Sequence, residues 1–190
     1  MALLFNSILK RRIMKFIHTN YTVEQIFLKD DGMVPNSHLP VIIYKGVLTL
    51  PTFFSALFIK ILFSLNNWKN AWTGTVQAID HYHSVTHEVL GVIQGRTSLW
   101  LGGVKGRLVF LKKGDVIIIP AGVEHKNLEP RNEFKCVGAY PNGKDFDMNY
   151  GRSDERPKAD HNIMNVPLPT ADPLFGANGR LLQYWKNIVK

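Results

Sequence analysis

Between Thr75 and Tyr140 the chain is a succession of short β-branched runs cut by glycine, and this rhythm limits the folds open to it. The runs are Val89–Ile93, Thr97–Leu101, Leu108–Leu111, Val116–Ile119 and Phe134–Ala139. Their breakers are Gly95, Gly102-Gly103, Gly106, Gly114 and Pro120-Ala121-Gly122. Branched side chains suit a pleated surface, and glycine supplies the turns between. Many short strands at even spacing imply an all-β sandwich or barrel. No helix-length pattern separates the runs, which argues against a parallel sheet of βαβ units.

Ahead of this region, Thr22–Leu28 and Val41–Leu50 read as two more strands, separated by the turn material Asp30-Asp31-Gly32 and Pro35-Asn36-Ser37. Pro51-Thr52 then opens an inserted helix over about 52–67. Phe54, Phe58, Ile61, Leu62 and Leu65 keep the three-and-four spacing of one face, and Asn66-Asn67 closes it. Apolar on nearly every side, it is expected to be buried under the barrel or between subunits. Asn67–Gly74 is polar, as is the loop Asn142–Asn162. In Val166–Trp185, Pro167, Pro169 and Pro173 force an extended arm. Its leucines, Phe175, Tyr184 and Trp185 are too apolar for water, so residues 142–190 are read as a polar loop plus an arm docked on the barrel or a neighbouring subunit.

At 190 residues the chain suffices for one compact domain. Its 45% apolar and 20% charged residues argue against disorder. A lone cysteine, Cys136, excludes an intrachain disulfide framework and a Cys-rich zinc module. Half of the net charge of +8 comes from Lys10, Arg11, Arg12 and Lys15. Four charges in a leader, with no aromatic interleaving, are poor ground for a nucleic-acid partner, and none is expected. In Ala2–Leu9 the charges follow the apolar residues, unlike a secretory signal, and Met14 offers a second start. Residues 1–19 are therefore read as a basic leader outside the barrel of residues 20–141. Phe53–Leu65 contains Lys60 and falls short of the ~20 residues that cross a bilayer. No membrane partner is expected, and the location is read as cytoplasmic.

The histidines carry the chemistry. One patch is His81-Tyr82-His83-Ser84-Val85-Thr86-His87-Glu88, and another ends in Pro120-Ala121-Gly122-Val123-Glu124-His125. Alternate side chains on a strand share a face, so His81 and His83 point the same way. A turn over Ser84–His87 returns Glu88 on the next strand, on one face with Leu90 and Val92. His125 can enter from a neighbouring strand after its turn. Three imidazoles and one carboxylate suit Fe(II), Mn(II), Ni(II), Zn(II) or Cu(II) and leave open positions on an octahedral ion. His87 has the opposite parity and is placed outside the pocket or behind its ligands. Tyr82 is read as outer-face packing, Asp115 and Glu124 as loop solvation, and Lys144, Asp145, Asp147 and Asp154-Glu155-Arg156 as a solvated loop. His18, His38 and His161 are expected to be exposed.

These patches resemble the two motifs of the cupin superfamily. The first has His-x-His, three or four residues, Glu, six residues and Gly, which His81, His83, Glu88 and Gly95 match. Gly74 stands one residue farther from His81 than the motif has it. The second has Gly, five residues, Pro-x-Gly, two residues and His, matched by Gly114, Pro120, Gly122 and His125. Its final Asn is Glu129 here and is not carried over. Asn67-Trp68, Trp72, Gly138-Ala139-Tyr140-Pro141, Asp172-Pro173 and the late Trp185 are similar to a group of small, single-domain bacterial cupins that offers no established reaction to borrow.

The resemblance implies a double-stranded β-helix, or jelly-roll barrel, with a flanking helix and the C-terminal arm. It also implies one divalent transition metal (Fe, Mn, Ni or Zn) on His81, His83, Glu88 and His125. Isomerisation, decarboxylation and oxygenation of a small organic molecule are all open to such a site. The alternative is a module that binds a metal or small ligand without turnover. Sheet edges and surplus apolar surface point to a homodimer.

Overall fold

The structure, a computed structural model, describes residues 13–188. Strands β1 (Thr22–Leu28), β2 (Ser37–Lys45), β3 (Trp68–Gly74), β4 (Glu88–Gln94), β7 (Val116–Ile119) and β9 (Lys135–Pro141) form one antiparallel sheet in the order β1-β2-β7-β4-β9-β3. β5 (Arg96–Leu101), β6 (Arg107–Lys112) and β8 (His125–Asn127) form a second, ordered β6-β5-β8. An isolated bridge between His81 and His125 extends the smaller sheet. Among the described residues no strand pair joins the two sheets, so the barrel is a pair of facing sheets.

Strand alternation explains the layers. On the larger sheet Ile43, Leu90, Val92, Ile117, Ile119 and Cys136 point inward and meet Leu99, Leu101, Val109 and Leu111 of the smaller one. Their neighbours Ile42, Tyr44, Val89, Val116, Ile118 and Val137 point outward and are buried as well. A sheet apolar on both faces needs a second cover. Helices α1 (Ser55–Leu65) and α3 (Arg180–Ile188) supply it through Ile59, Leu62, Phe63, Leu181 and Trp185. A further helix, α2 (Lys158–Met164), lies in the stretch read as a polar loop.

Several expectations are revised. The second strand starts at Ser37, ahead of Val41, and ends where Gly46 adopts a positive φ of 64°. The polar Asn67–Gly74 contains β3, an edge strand with β9 as its neighbour. Helix α1 begins at Ser55, because Phe54 is held at φ 65°, outside the helical region. The helix is not buried on every side: Leu57 is 55% exposed, and Phe53 and Phe54 just ahead of it are 76% and 79% exposed. The segment assigned to the leader is docked from Ile13 onward. Ile13 joins the outer core, and the Thr49 N–H donates to the Phe16 carbonyl at 2.8 Å. Residues 1–12, with Lys10, Arg11 and Arg12, lie outside the described residues. Asp115 and Glu124 are buried rather than solvated; Asp115 accepts from the Gly46 and Lys112 N–H groups at 2.7 and 3.0 Å.

The arm is extended only as far as Gly179 and then helical. Its anchor is Asp172, fully buried, which accepts from the N–H groups of Leu174, Phe175 and Leu181 at 2.9, 3.1 and 3.2 Å and from the Tyr44 hydroxyl. Burial raises its carboxyl above the ordinary range, against these stabilising hydrogen bonds. A side chain on Gly179 would start 2.0 Å from the Asp172 Cβ, so the chain passes this point as glycine. The Trp185 indole then donates to the Pro40 carbonyl at 3.0 Å. Asp172→Ala removes the acceptor that four donors share, leaving Leu181 N–H only its longer bond to the Tyr44 hydroxyl at 3.3 Å, and is expected to lower stability by about 2–4 kcal/mol, read from the urea midpoint.

Candidate metal centre

His81, His83 and His125 come together at one end of the space between the sheets. All are buried, and one ligating atom from each lies within 4.8 Å of the others. The bridge between His81 and His125 includes a hydrogen bond from the His125 N–H to the His81 carbonyl at 2.9 Å, which sets two imidazoles side by side with centroids 4.3 Å apart. His83 follows at the spacing that returns its side chain to the same face. Glu88 opens β4 and points inward with Leu90. Its Oε2 lies 3.4 Å from His125 Nε2 and 3.6 Å from His83 Nε2.

Each imidazole is oriented by the main chain. Nδ1 of His81 donates to the Ile79 carbonyl at 2.9 Å, that of His83 to Asp147 at 2.6 Å, and that of His125 to Val123 at 3.1 Å. A carbonyl only accepts, so each Nδ1 carries a proton and Nε2 is the ring nitrogen left for the site. Three imidazoles thus converge, with the Glu88 carboxylate beside His83 and His125. Imidazole nitrogen is a donor that divalent transition metals accept, and the three-histidine cluster could hold such an ion.

The protonation tendencies follow from the packing. Burial, helped by the neighbouring His125, drops His81 to about 4, which keeps it neutral. Burial lowers His83 too, but the adjacent Glu88 carboxylate outweighs it and leaves it above the usual value. Glu88 itself is 3% exposed; burial disfavours its charge, yet His125 and His83 hold it well below the ordinary carboxylate range. On the far side of the His81–His125 pair, burial and then the carboxylate of Asp80 push Glu124 up to about 8.

Behind Glu88 runs a relay that the motif spacing does not contain. The Trp72 indole donates to the Tyr140 hydroxyl at 2.9 Å, and that hydroxyl donates to Glu88 Oε1 at 2.9 Å. The Trp72 ring lies flat against Gly138, where a Cβ would sit 2.2 Å from the indole. Strand parity offers a signal for Tyr140, which alternates with the inward Cys136. Asp147 has no such signal. Its carboxylate accepts from the Ser84 N–H at 2.7 Å and Asn149 Nδ2 at 2.9 Å, fixing the loop whose carbonyl orients His83. The stretch read as solvated therefore completes the site, and Phe146 and Met148 form part of its wall.

His87 lies on the other face, as parity predicts. It is buried against Trp185, with centroids 4.7 Å apart, and its Nδ1 accepts from the Ala121 N–H at 3.0 Å. Burial drops it to about 3. Tyr82 packs outside with Val34 and Ala159, its hydroxyl donating to Glu155 at 3.2 Å.

Tyr140→Phe keeps the ring and removes the hydroxyl that orients Glu88. Loss of such a supporting hydrogen bond is expected to weaken divalent-metal affinity about 10- to 100-fold with the fold intact, as read by competition against a chromophoric chelator.

Residues 70–136 match the family model described as Cupin domain. The chain is 38% identical over 160 residues to the Uncharacterized protein YjlB of Bacillus subtilis (strain 168), covering 84% of this chain and 94% of that one. Among solved structures it is similar to a vicilin from Solanum melongena, at 19% identity over 42% of this chain and 24% of that one, with a TM-score of 0.33. It is also similar to an oxalate decarboxylase from Bacillus subtilis, at 17% identity over 58% of this chain and 28% of that one, with a TM-score of 0.36. The chain spans about a quarter of the length of those two proteins. With its two facing antiparallel sheets, its paired histidine motifs and a relative alike over nearly its whole length, the chain belongs to the cupin superfamily.

Proposed function

We propose that His81, His83, Glu88 and His125 hold one divalent transition metal and that the protein is a metal-dependent enzyme acting on a small organic molecule. The observation that carries this reading is the convergence of three buried imidazoles beside a carboxylate, with every Nδ1 proton already committed to a backbone carbonyl. A bound ion would act as a Lewis acid or redox centre for a substrate oxygen. The chain's own contribution is orientation. The Ile79, Asp147 and Val123 carbonyls fix the imidazoles, and Tyr140 fixes Glu88. A cavity of about 320 Å³ beside the four side chains gives a small molecule room next to the ion. The competing reading is a module that binds metal or ligand without turnover.

Protein purified without a histidine tag is expected to carry about one Fe, Mn, Ni or Zn per chain by elemental analysis, and His125→Ala to carry less than a tenth of that. A metal-free wild-type protein that also fails to take up these ions on titration overturns the reading. Screening the loaded protein for turnover, with oxygen consumption as one readout, separates the enzyme from the binding module.

The reading includes a homodimer and a cytoplasmic location. Phe53, Phe54 and Leu57 remain exposed beside α1, and Phe27 and Phe110 are 60% and 65% exposed on the edge strands β1 and β6. Surface of this kind favours pairing. No helix among the described residues is long and apolar enough to cross a membrane. Light scattering at micromolar concentration is expected to give twice 21.6 kDa; a mass near 21.6 kDa rejects the dimer.

A further inference from the structure

The cavity beside the histidines is selective in its chemistry. Apart from the four candidate ligands its wall is largely aromatic and apolar, with Trp72, Tyr140, Phe146 and Met148 prominent and Asn70, Thr75 and Gln77 as its neutral polar part. Three of the polar side chains in the wall are already engaged. Tyr140 donates to Glu88, Asn70 Nδ2 donates to Asp145 at 3.0 Å, and Thr75 Oγ1 accepts from Asn127 Nδ2 at 3.2 Å. Among the described residues lining the cavity none is Lys or Arg, and Glu88 is the one carboxylate. Lys126, next to His125, is turned away into an ion pair with Asp80 at 2.6 Å.

Charge then restricts the occupant. Three neutral imidazoles, one carboxylate and a divalent ion sum to a single positive charge. One anionic or neutral oxygen donor is matched; a second anionic group would be buried without a cation, which low-dielectric surroundings penalise. Shape restricts it further. Phe146 is 44% exposed at the mouth although its ring lies 4.9 Å from His83 and stacks on Tyr140 at 5.1 Å and 28°. An apolar ring left half in water beside two other aromatic groups is a platform for a flat ligand. The volume of about 320 Å³ is roughly twice that of a cavity that takes benzene, room for one or two rings.

We propose that the substrate of this site is a flat aromatic or conjugated molecule that offers a phenol, enol or carbonyl oxygen to the metal and carries no second anionic group. The inference rests on the metal reading above, and the two fail differently. Full-length protein is titrated anaerobically with Co(II), whose visible absorption reports uptake; no uptake overturns both. With Co(II) bound, tropolone and oxalate are titrated as probes by the same bands and by calorimetry; tropolone is flat and conjugated and binds a metal with one enolate and one carbonyl oxygen, a single negative charge. Tropolone is expected to bind at least tenfold more tightly than oxalate. Phe146→Ala, at a half-exposed position, is expected to keep the Co(II) spectrum, weaken tropolone at least fivefold and leave oxalate within twofold. Met148→Lys, which adds a cation to the wall, is expected to tighten oxalate at least fivefold. Oxalate binding as tightly as tropolone in the wild type, or Phe146→Ala shifting both probes alike or neither, overturns the substrate class while the metal reading stands.

Discussion

A carboxylate sealed inside a barrel sets terms for everything around it. Glu88 is the first residue of β4, the strand between β7 and β9, and its side chain points into the apolar interior with Leu90. A charge there is tolerated only when paired and hydrogen-bonded. Its two oxygens are met separately: Oε1 accepts from Tyr140, and Oε2 faces His83 and His125. Tyr140 is in turn fixed by Trp72 from β3, whose ring reaches it because Gly138 leaves the sheet surface bare. Satisfying this one group therefore joins the neighbouring strand β9, the edge strand β3 and the histidine loop.

The same strands bury their opposite face, and this explains the architecture outside the barrel. Val89, Val116, Ile118 and Val137 would meet water without α1 and the C-terminal arm. Burial of apolar surface at ~25 cal/mol per Å² drives those elements on. Asp172 then fixes where the arm lands, joining its backbone to Tyr44 on β2. Trp185 closes the arrangement over His87, the residue preceding Glu88. Adjacent residues at the start of β4 thus serve two layers, His87 just before the strand the outer core and Glu88 the site.

How much of this was legible in the sequence follows from the range of each interaction. The glycine-cut runs gave the central strands, because strand alternation and turn chemistry are local. The two-residue spacing of His81 and His83 and the parity of Glu88 with Leu90 gave the facing of the site for the same reason. The polar β3 was not readable: Lys69, Asn70 and Thr73 on an edge strand look like loop, and its partner lies some seventy residues ahead. The start of α1 was misplaced because apolar periodicity continues through Phe53 and Phe54, whereas the backbone at Phe54 is left-handed. The helical end of the arm was missed because three prolines dominate its composition, while Leu181, Leu182 and Trp185 form a helix only once Gly179 has passed Asp172.

Asp147 is the clearest case of a role that no local pattern could reveal. A solvated aspartate and a structural one look identical in a polar stretch, and the difference here is a partner, Ser84, that lies 63 positions away in the chain. Its carboxylate is held below the ordinary range, because hydrogen bonds from Ser84 and Asn149 outweigh burial. The carboxylate thus secures the loop to the histidine segment, while the carbonyl of the same residue receives the His83 Nδ1 proton. One residue both docks the loop and sets the tautomer of an imidazole. Because Phe146 and Met148 flank it, the contact that orients His83 also places the wall of the cavity. Orientation of the candidate ligands and shape of the cavity are consequently one structural property, fixed when the chain beyond β9 closes over the barrel.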